Sequence, residues 1–131
     1  MSQQDVELVR RVYEGWARGD FLAEVDVLHP DVEFELVDWP DPATAQGVEA
    51  MWRTWRAALS AWEDMRAEPT DIIETREHIV VFNYIRARGR GSGALVSANS
   101  ATVWTIDAGK VVRLVVYWDS ANALEAVGLR E

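Results

Sequence analysis

Apolar residues recur at helical spacing in the first part of the chain. Steps of three and four residues predict an amphipathic helix over residues 4–18 with one apolar stripe: Val6, Val9, Val12, Tyr13 and Trp16. Gly19 is suited to end that helix, and Asp20 can cap a second, short one. The second helix is predicted to end at His29, because Pro30 disfavours helical geometry in the residue before it. A third helix is predicted over residues 48–62.

Alternation of apolar and polar residues predicts the strands. In residues 31–36 it gives Val32, Phe34 and Leu36 a shared buried face. The later part of the chain predicts four more strands: 63–75, 78–90, 95–106 and 111–118. Pro69 places the first of these at a sheet edge or a bulge. Helices first and strands afterwards predict an α+β fold, in which a curved antiparallel sheet carries helices on one face and a short terminal helix follows.

The composition bounds the domain count and the chemistry. A length of 131 residues fits one domain spanning 1–131, and a hydrophobic share of 49% is enough for a core. The chain has no Cys, which excludes a disulfide framework, a thiolate nucleophile and a Cys-ligated zinc site. Its seven tryptophans are many for this length, and they either fill the core or line a cavity.

The charge limits the partners. Thirteen Lys and Arg against 22 Asp and Glu give a net charge of −9, which disfavours nucleic acids and anionic membrane surfaces. The first residues lack the apolar run of a signal peptide, and no apolar run is long enough to span a membrane, so a cytoplasmic protein is expected. Glu33 and Glu35 alternate with apolar residues and are expected to face solvent. Neither a metal site nor a cofactor is therefore predicted.

Three motifs and the ending of the chain carry a resemblance to a known family. They are Arg18-Gly-Asp-Phe after the first helix, His29-Pro-Asp-Val before the first strand, Gly109-Lys-Val-Val before the last strand, and Ala123-Leu-Glu-Ala-Val-Gly-Leu at the end. With the order of elements, they resemble small bacterial members of the nuclear transport factor 2-like or SnoaL-like superfamily. The resemblance implies a cone-shaped sheet with about three helices of the N-terminal half on its concave face. It also implies a helix-lidded pocket and a homodimer made through the outer sheet face.

That superfamily includes ketosteroid isomerases, cyclases, epoxide hydrolases, dehydratases and non-catalytic binding domains. Alignment on the shared motifs puts Leu36 where the isomerases have their base, and Ala101 where they have the acid of the oxyanion hole. Both residues are apolar, so ketosteroid isomerase chemistry is disfavoured. The aspartate and histidine pair of SnoaL-type cyclases has no obvious counterpart in residues 95–118.

Two residues are candidates for acid/base chemistry, and each has a structural alternative. Asp119 follows Trp118 at the end of the last strand, where it could act as a general base or cap the terminal helix. His29 could move a proton near neutral pH, or it could interact with the dipole at the end of the second helix. The structural interpretation is favoured for both residues.

The predicted pocket is aromatic and mostly apolar. The residues expected to line it are Tyr13, Trp16, Phe34, Leu36, Trp39, Trp55, Asn99, Ala101, Val116 and Trp118. Trp52 and Trp62 are assigned to packing between helix and sheet, and Trp104 to the outer face. Such a pocket suits a small hydrophobic molecule. The protein is then either a cofactor-independent isomerase, cyclase or dehydratase, or a non-catalytic binding or accessory dimeric module. A structural dimerisation domain with a filled cone is a third alternative.

Overall fold

The computed structural model describes residues 3–21 and 25–128, which form three α-helices and one six-stranded sheet. In chain order the elements are α1 (Gln3–Ala17), β1 (Leu28–Leu36), β2 (Ala43–Gln46), α2 (Val48–Leu59), β3 (Trp62–Glu74), β4 (Ile79–Gly89), β5 (Leu95–Asp107), β6 (Lys110–Tyr117) and α3 (Ser120–Ala126). A turn of 3₁₀ helix, Val25–Val27, precedes β1. The α+β class predicted from the order of elements is confirmed.

The sheet is curved and open, with the strand order β2-β1-β6-β5-β4-β3. Neighbouring strands are antiparallel except β1 and β6, which run parallel. The prediction of a wholly antiparallel sheet is therefore wrong at this pair. α2 and the other four strands lie between β1 and β6 in the chain, and a parallel pair requires a long connection of this kind.

The segment around Pro30 also differs from the prediction. β1 begins at Leu28, so His29 and Pro30 lie in a strand and not at the end of a helix. Residues 22–24 of the predicted second helix lie outside the described residues, and the described remainder of that segment includes the 3₁₀ turn. The pairing of β1 with β6 is irregular between Leu28 and Glu33. Such an irregularity accommodates a proline, which cannot donate to the ladder.

The two edges of the sheet are short or interrupted. One edge is β2, a strand of four residues that the sequence did not predict. The other edge is β3, whose register shifts between Pro69 and Asp71. The predicted edge position of Pro69, and the bulge beside it, are both confirmed. The third helix is shorter than predicted, since α2 stops at Leu59. Trp62, the residue predicted to end that helix, begins β3 instead.

Different elements cover the two faces of the sheet. α1 and α2 pack on the concave face, and the sheet residues buried there include Val32, Phe34, Leu36, Ala67, Ile79, Val81, Ile85, Trp104, Leu114 and Val116. α3 packs on the outer face through Ala123, against a smaller cluster made of Val80, Ala101, Val103, Val115 and Tyr117. The concave core is the larger one and holds most of the aromatic side chains.

β5 faces the opposite way from the prediction. Trp104 pairs with Leu114, and both side chains belong to the core on the concave face. Ala101 lies in the cluster under α3, and Asn99 shares its phase and is exposed. The inward orientation predicted for Ala101 and Asn99 is therefore wrong, as is the outward orientation predicted for Trp104.

One extra residue in β6 explains this reversal. Counting back from the Asp107–Lys110 turn, a regular hairpin would pair Val103 with Leu114. The ladder is instead irregular between Thr105 and Ile106. Leu114 therefore pairs with Trp104, the residue after Val103 in β5. A shift of one residue exchanges the two faces of a strand. Nothing in the apolar pattern of this hairpin reveals such a bulge.

Candidate functional site

Aromatic side chains fill the space between α1, α2 and the concave face, which we call the aromatic interior. Six of the seven tryptophans form one series of ring contacts that reaches Tyr13. With the distance to the preceding ring, the series is Trp62, Trp118 (5.6 Å), Trp39 (5.0 Å), Trp55 (5.4 Å), Trp16 (5.9 Å) and Tyr13 (4.8 Å), and Trp104 lies 5.7 Å from Trp16. Phe21 and Phe34 contact Trp55 edge-on.

Helical spacing brings the central rings together. Tyr13 and Trp16 lie three residues apart on the buried stripe of α1. Trp55 lies four residues after Met51 on the buried stripe of α2. Trp39 follows β1 in the loop between two sheet strands and is buried. The aromatic interior therefore forms when both helices dock on the sheet.

A network of hydrogen bonds lies at the α1 side of this interior. The Oη atom of Tyr13 lies 2.6 Å from Asn83 Oδ1 and 2.7 Å from Thr102 Oγ1. Trp104 Nε1 donates to Thr102 Oγ1 at 2.6 Å, and Asn83 Nδ2 donates to Ser100 Oγ. All five side chains are buried. The network connects α1 to β4 and β5.

The end groups of this network fix the direction of its hydrogen bonds. An indole N–H can only donate, and an amide oxygen can only accept. Trp104 therefore donates to Thr102, Thr102 donates to Tyr13, and Tyr13 donates to Asn83. The hydroxyl protons of Thr102 and Tyr13 are thus used within the network.

The aromatic interior holds no evident general base. Burial raises the pKa of the Tyr13 hydroxyl, and the hydrogen bond with Thr102 acts in the opposite direction as the smaller effect. Tyr13 is therefore a neutral donor at physiological pH. Within residues 3–21 and 25–128, the buried polar side chains other than tyrosine and tryptophan are Asn83, Ser100 and Thr102, and no charged side chain is buried.

Two indole N–H groups of the interior have no partner. The Nε1 atoms of Trp39 and Trp55 are buried and meet no hydrogen-bond acceptor among the described residues. Their rings lie 5.4 Å apart at 65°. Buried donors are normally satisfied, and leaving one unpaired costs about 1–3 kcal/mol.

The space left between the rings is small. It measures about 20 Å³ and is bounded by Trp16, Trp52, Trp55, Trp104 and apolar neighbours. That is room for about one water molecule. A ligand of any size must therefore displace side chains to enter. Trp52, the half-buried member of this wall, lies nearest to solvent among the four tryptophans.

The structure brings most of the predicted pocket residues together. Seven of them are buried at the concave core: Tyr13, Trp16, Phe34, Leu36, Trp39, Trp55 and Val116. Trp118 is half-buried at its rim, stacked on Trp62. Asn99 and Ala101 lie on the outer face and are separated from the interior by the sheet. Whether these residues bind a ligand stays a prediction.

The two candidate acid/base residues lie far apart. Asp119 is exposed and is the N-cap of α3, where its Oδ1 accepts from the backbone N of Ala121 at 2.9 Å. His29 Nδ1 accepts from the backbone N of Asp31 at 3.0 Å. Because β1 and β6 run parallel, His29 lies at the start of this pair and Asp119 beyond its end, a separation of roughly 20 Å. They cannot share one proton-transfer step, and their individual roles stay predictions.

Asp38 closes the rim of the interior near Trp118. Its carboxylate accepts from the backbone N of Trp118 at 2.5 Å, the backbone N of Asp119 at 3.0 Å and Nδ2 of Asn122 at 2.8 Å. The sequence analysis did not predict these contacts. They tie the loop after β1 to the start of α3.

Replacing Asp38 by Ala should therefore lower the free energy of unfolding by about 1–2 kcal/mol, since three hydrogen bonds to a carboxylate are lost at a half-buried site. Chemical denaturation measures the change. Asp41→Ala, an exposed carboxylate of the same loop, is the matched control and should stay within about 0.5 kcal/mol of the wild type. Equal effects of the two substitutions on the free energy of unfolding would show that the hydrogen bonds of Asp38 do not stabilise the fold.

The pocket predicted from the sequence does not include Thr102, Ser100 or Asn83. Asn83 alternates with Val81 and Ile85, so the period of two in β4 places it inward and could have found it. Thr102 and Ser100 were missed because the prediction had the two faces of β5 exchanged. Once β5 is placed correctly, all three face the hydroxyl of Tyr13 or its partners.

Neither a metal-binding cluster nor a membrane-spanning helix is found within residues 3–21 and 25–128. No group of three or more His, Asp or Glu side chains there could hold a metal ion. No helix of this part of the chain is long and apolar enough to cross a bilayer.

Comparison with solved structures gives the same fold. A nuclear transport factor 2-like protein of unknown function from Burkholderia pseudomallei K96243 has a TM-score of 0.78 at 26% identity, covering 95% of this chain and 97% of that chain. TerC, co-crystallised with polyporic acid, has a TM-score of 0.77 at 21% identity, covering 96% and 99%. A provisionally assigned SnoaL-like polyketide cyclase from Jannaschia sp. CCS1 has a TM-score of 0.75 at 17% identity, covering 100% and 98%.

No curated protein matches the chain. The family model for the SnoaL-like domain matches residues 9–114. That range runs from α1 into β6, so it includes α2, the greater part of α1 and most of the sheet. The resemblance inferred from the motifs is confirmed, and the chain belongs to the SnoaL-like domain family.

Proposed function

We propose that the protein binds a small planar hydrophobic molecule in the aromatic interior and carries out no acid/base chemistry there. The observation that carries the proposal is the lining itself. Rings from α1, α2, the loop after β1 and β5 contact one another in this interior, and no charged side chain of the described residues is buried with them. Mostly apolar walls with a few polar groups are typical of small-molecule sites.

Entry requires the interior to open, because about 20 Å³ is free. Trp52 is the wall residue that can move at least cost, since it is half-buried and takes no part in the series of ring contacts. Removing a large side chain from an apolar core can leave a dry cavity that accepts aromatic guests. Trp52→Ala should therefore bind a bicyclic hydrocarbon more tightly than the wild type.

Isothermal titration calorimetry with indane tests the proposal. We expect saturable binding by the wild type and about tenfold tighter binding by Trp52→Ala, with indane recovered unchanged by mass spectrometry. Leu95→Ala, a change at an exposed residue of the outer face, is the control and should leave the affinity unchanged. Absence of binding by both the wild type and Trp52→Ala would overturn the proposal.

The second candidate is a cofactor-independent isomerase or cyclase that uses Asp119 as its base. The exposed Asp119 follows Trp118 at the rim, and Asp38 contacts its backbone, so two carboxylates lie beside the aromatic interior. A structural relative carries the provisional cyclase assignment given above. Removal of a proton next to a carbonyl would be the reaction step.

Exchange of the α-protons of 1-indanone in D₂O, followed by NMR, separates the two candidates. Asp119→Asn keeps a good N-cap and removes the charge. Catalysed exchange that disappears in Asp119→Asn would support the enzyme. Proton exchange no faster than in buffer without the protein would support a non-catalytic binding protein.

A homodimer through the outer sheet face is a further part of the proposal. Tyr84 and Leu95 are the exposed large apolar residues of the described chain, with 37% and 77% of their surface accessible, and both lie on outward positions of the β4–β5 pair. Sedimentation velocity should give a dimer for the wild type and a monomer for the double variant Tyr84→Glu, Leu95→Glu. A monomeric wild type would contradict this part.

A further inference from the structure

We infer that the outer face of the sheet carries a second binding site, a groove near the turn between β4 and β5 that takes a small organic acid with an apolar body. The carboxylate of the acid binds Arg86 and Arg88, and its apolar body covers Leu95 and Tyr84. This site lies on the opposite side of the sheet from the aromatic interior, and it does not depend on a ligand there.

The groove is large enough for such a molecule without any rearrangement. It measures about 490 Å³, against about 20 Å³ for the space in the aromatic interior. Its lining includes three arginines, Arg66, Arg86 and Arg88, together with Tyr84 and Leu95. A volume of several hundred Å³ is typical of sites for small organic molecules.

The register of β4 and β5 brings the charged and apolar side chains together. Arg86 pairs with Ser97, and Arg88 pairs with Leu95. Tyr84, Arg86 and Arg88 occupy successive exposed positions of β4. Side chains of a cross-strand pair lie about 5 Å apart, and successive positions on one face of a strand lie about 7 Å apart. One small molecule can therefore contact both guanidinium groups and Leu95.

Arg88 has N–H groups available for a carboxylate. A guanidinium has five N–H donors, and Arg88 uses Nη1 to donate to Gly93 O at 3.0 Å. The ion pairs among the described residues do not include Arg88. Arg86 pairs with Glu68 at 2.7 Å, but both side chains are at least half exposed. Such an exposed pair contributes about 1 kcal/mol or less, so Arg86 can also contact a ligand.

Arg90 shows the contrasting case of an arginine held by the fold. Its Nε donates to Ser60 O at 2.9 Å, its Nη2 donates to Trp62 O at 3.2 Å, and its Nη1 lies 3.5 Å from Glu63. Every nitrogen of this guanidinium therefore has a partner. Arg90 does not line the groove, whereas Arg88, two residues earlier in the chain, does.

Positive charge gathers in the groove although the chain is acidic. Arg66 of β3 lies directly opposite Arg86 in the ladder, and like charges in that position destabilise a sheet. Among the described residues the lining has one carboxylate, that of Asp64, against three arginines, while the whole chain has a net charge of −9. A bound anion would reduce this local repulsion, and the guanidinium group matches the geometry of a carboxylate.

The apolar residues of the groove define the rest of the ligand. Leu95 and Tyr84 are the exposed large apolar side chains of the described chain, and both line this groove. An acid with a hydrocarbon body covers them, and removing apolar surface from water is favourable. The dimer proposed above uses the same two side chains, so the acid and a second copy of the chain compete for this face.

Calorimetry with 4-phenylbutyrate and two matched compounds tests the inference. We expect saturable binding of 4-phenylbutyrate. The amide 4-phenylbutanamide keeps the apolar body and lacks the charge, and it should bind at least about tenfold more weakly. Acetate keeps the carboxylate and lacks the apolar body, and it should also bind at least about tenfold more weakly.

Substitutions and NMR locate the acid. Arg88→Gln should weaken the binding of 4-phenylbutyrate about tenfold, and Leu95→Ala about fivefold. Arg76→Gln removes the same charge from an exposed position outside the groove lining, so it is the matched control and should leave the affinity within about twofold of the wild type. On titration of the wild type, the methyl signals of Leu95 should shift, and the indole signals of Trp16 and Trp55 should not.

Four results would overturn the inference. The first is no binding of 4-phenylbutyrate, and the second is equal affinity for the acid and its amide. The third is an equal loss of affinity in Arg88→Gln and Arg76→Gln, because general charge attraction then explains the binding. The fourth is a shift of the indole signals without a shift at Leu95, which would place the acid in the aromatic interior. Failure of indane to bind would overturn the proposed function and leave this inference standing.

Discussion

Replacing Tyr13 by Phe should lower the free energy of unfolding by about 2–3 kcal/mol. The substitution removes one oxygen atom, but it leaves Asn83 Oδ1 without its donor and the Thr102 hydroxyl without its acceptor in a fully buried place. Leaving a buried polar group unpaired costs about 1–3 kcal/mol. Urea denaturation at neutral pH measures the change.

Tyr84→Phe is the matched control, because this tyrosine is 37% exposed and its loss should cost less than about 0.5 kcal/mol. A Tyr13→Phe protein as stable as Tyr84→Phe would contradict the closed network.

The pH dependence should follow from the same burial. Burial holds the pKa of Tyr13 above its ordinary value in the folded state. The unfolded chain therefore loses the phenol proton first, near pH ~10. Stability is fully present below that pH and is lost as the pH rises above it. Burial also raises the pKa of Tyr117. Tyr13→Phe should therefore lose less stability at alkaline pH than the wild type, and the loss that remains comes from Tyr117.

Replacing Trp55 by Ala should be the most damaging single change at the aromatic interior, at about 3–5 kcal/mol. Trp55 is 2% exposed and contacts the rings of Trp16, Phe21, Phe34 and Trp39. Its removal leaves a cavity bounded by four rings. Because these rings lie on different parts of the fold, they cannot all move inward to fill it. Thermal and chemical denaturation should both show the loss.

Trp52→Ala on the same helix is the control for that experiment. Trp52 is half-buried and lies at the wall of the small cavity, so its loss should cost much less. Equal destabilisation by the two substitutions would show that Trp55 does not hold the interior together. A stable Trp52→Ala protein is also what the binding experiments require.

Periodic patterns predicted the elements well where each pattern is long. The stripe of α1 and the alternation of β4 each report a buried face directly. Short or interrupted segments were less readable. β2 has four residues, and β1 begins before Pro30, where a proline reads as the end of an element and not as part of a strand.

The candidate site was partly readable for a different reason. Large aromatic residues at helical spacing are inward whatever the sheet register, so Tyr13, Trp16 and Trp55 were placed correctly. The polar partners depend on register. The bulge in β6 leaves no signal in the sequence. Because of it, Asn99 lies on the outer face and Thr102 lies within hydrogen-bond distance of Tyr13. Which indole nitrogens lack a partner depends on three-dimensional packing and has no local signal.

Ligand binding in the aromatic interior can be followed through the indole NMR signals. Each of the seven tryptophans has one ¹H–¹⁵N indole signal that single Trp→Phe variants assign. On titration with indane, we expect binding to cause saturable shifts at Trp16, Trp55 and Trp104, with Trp62 least affected. Shifts confined to Trp62 and Trp118, or no shifts in either the wild type or Trp52→Ala, would contradict it.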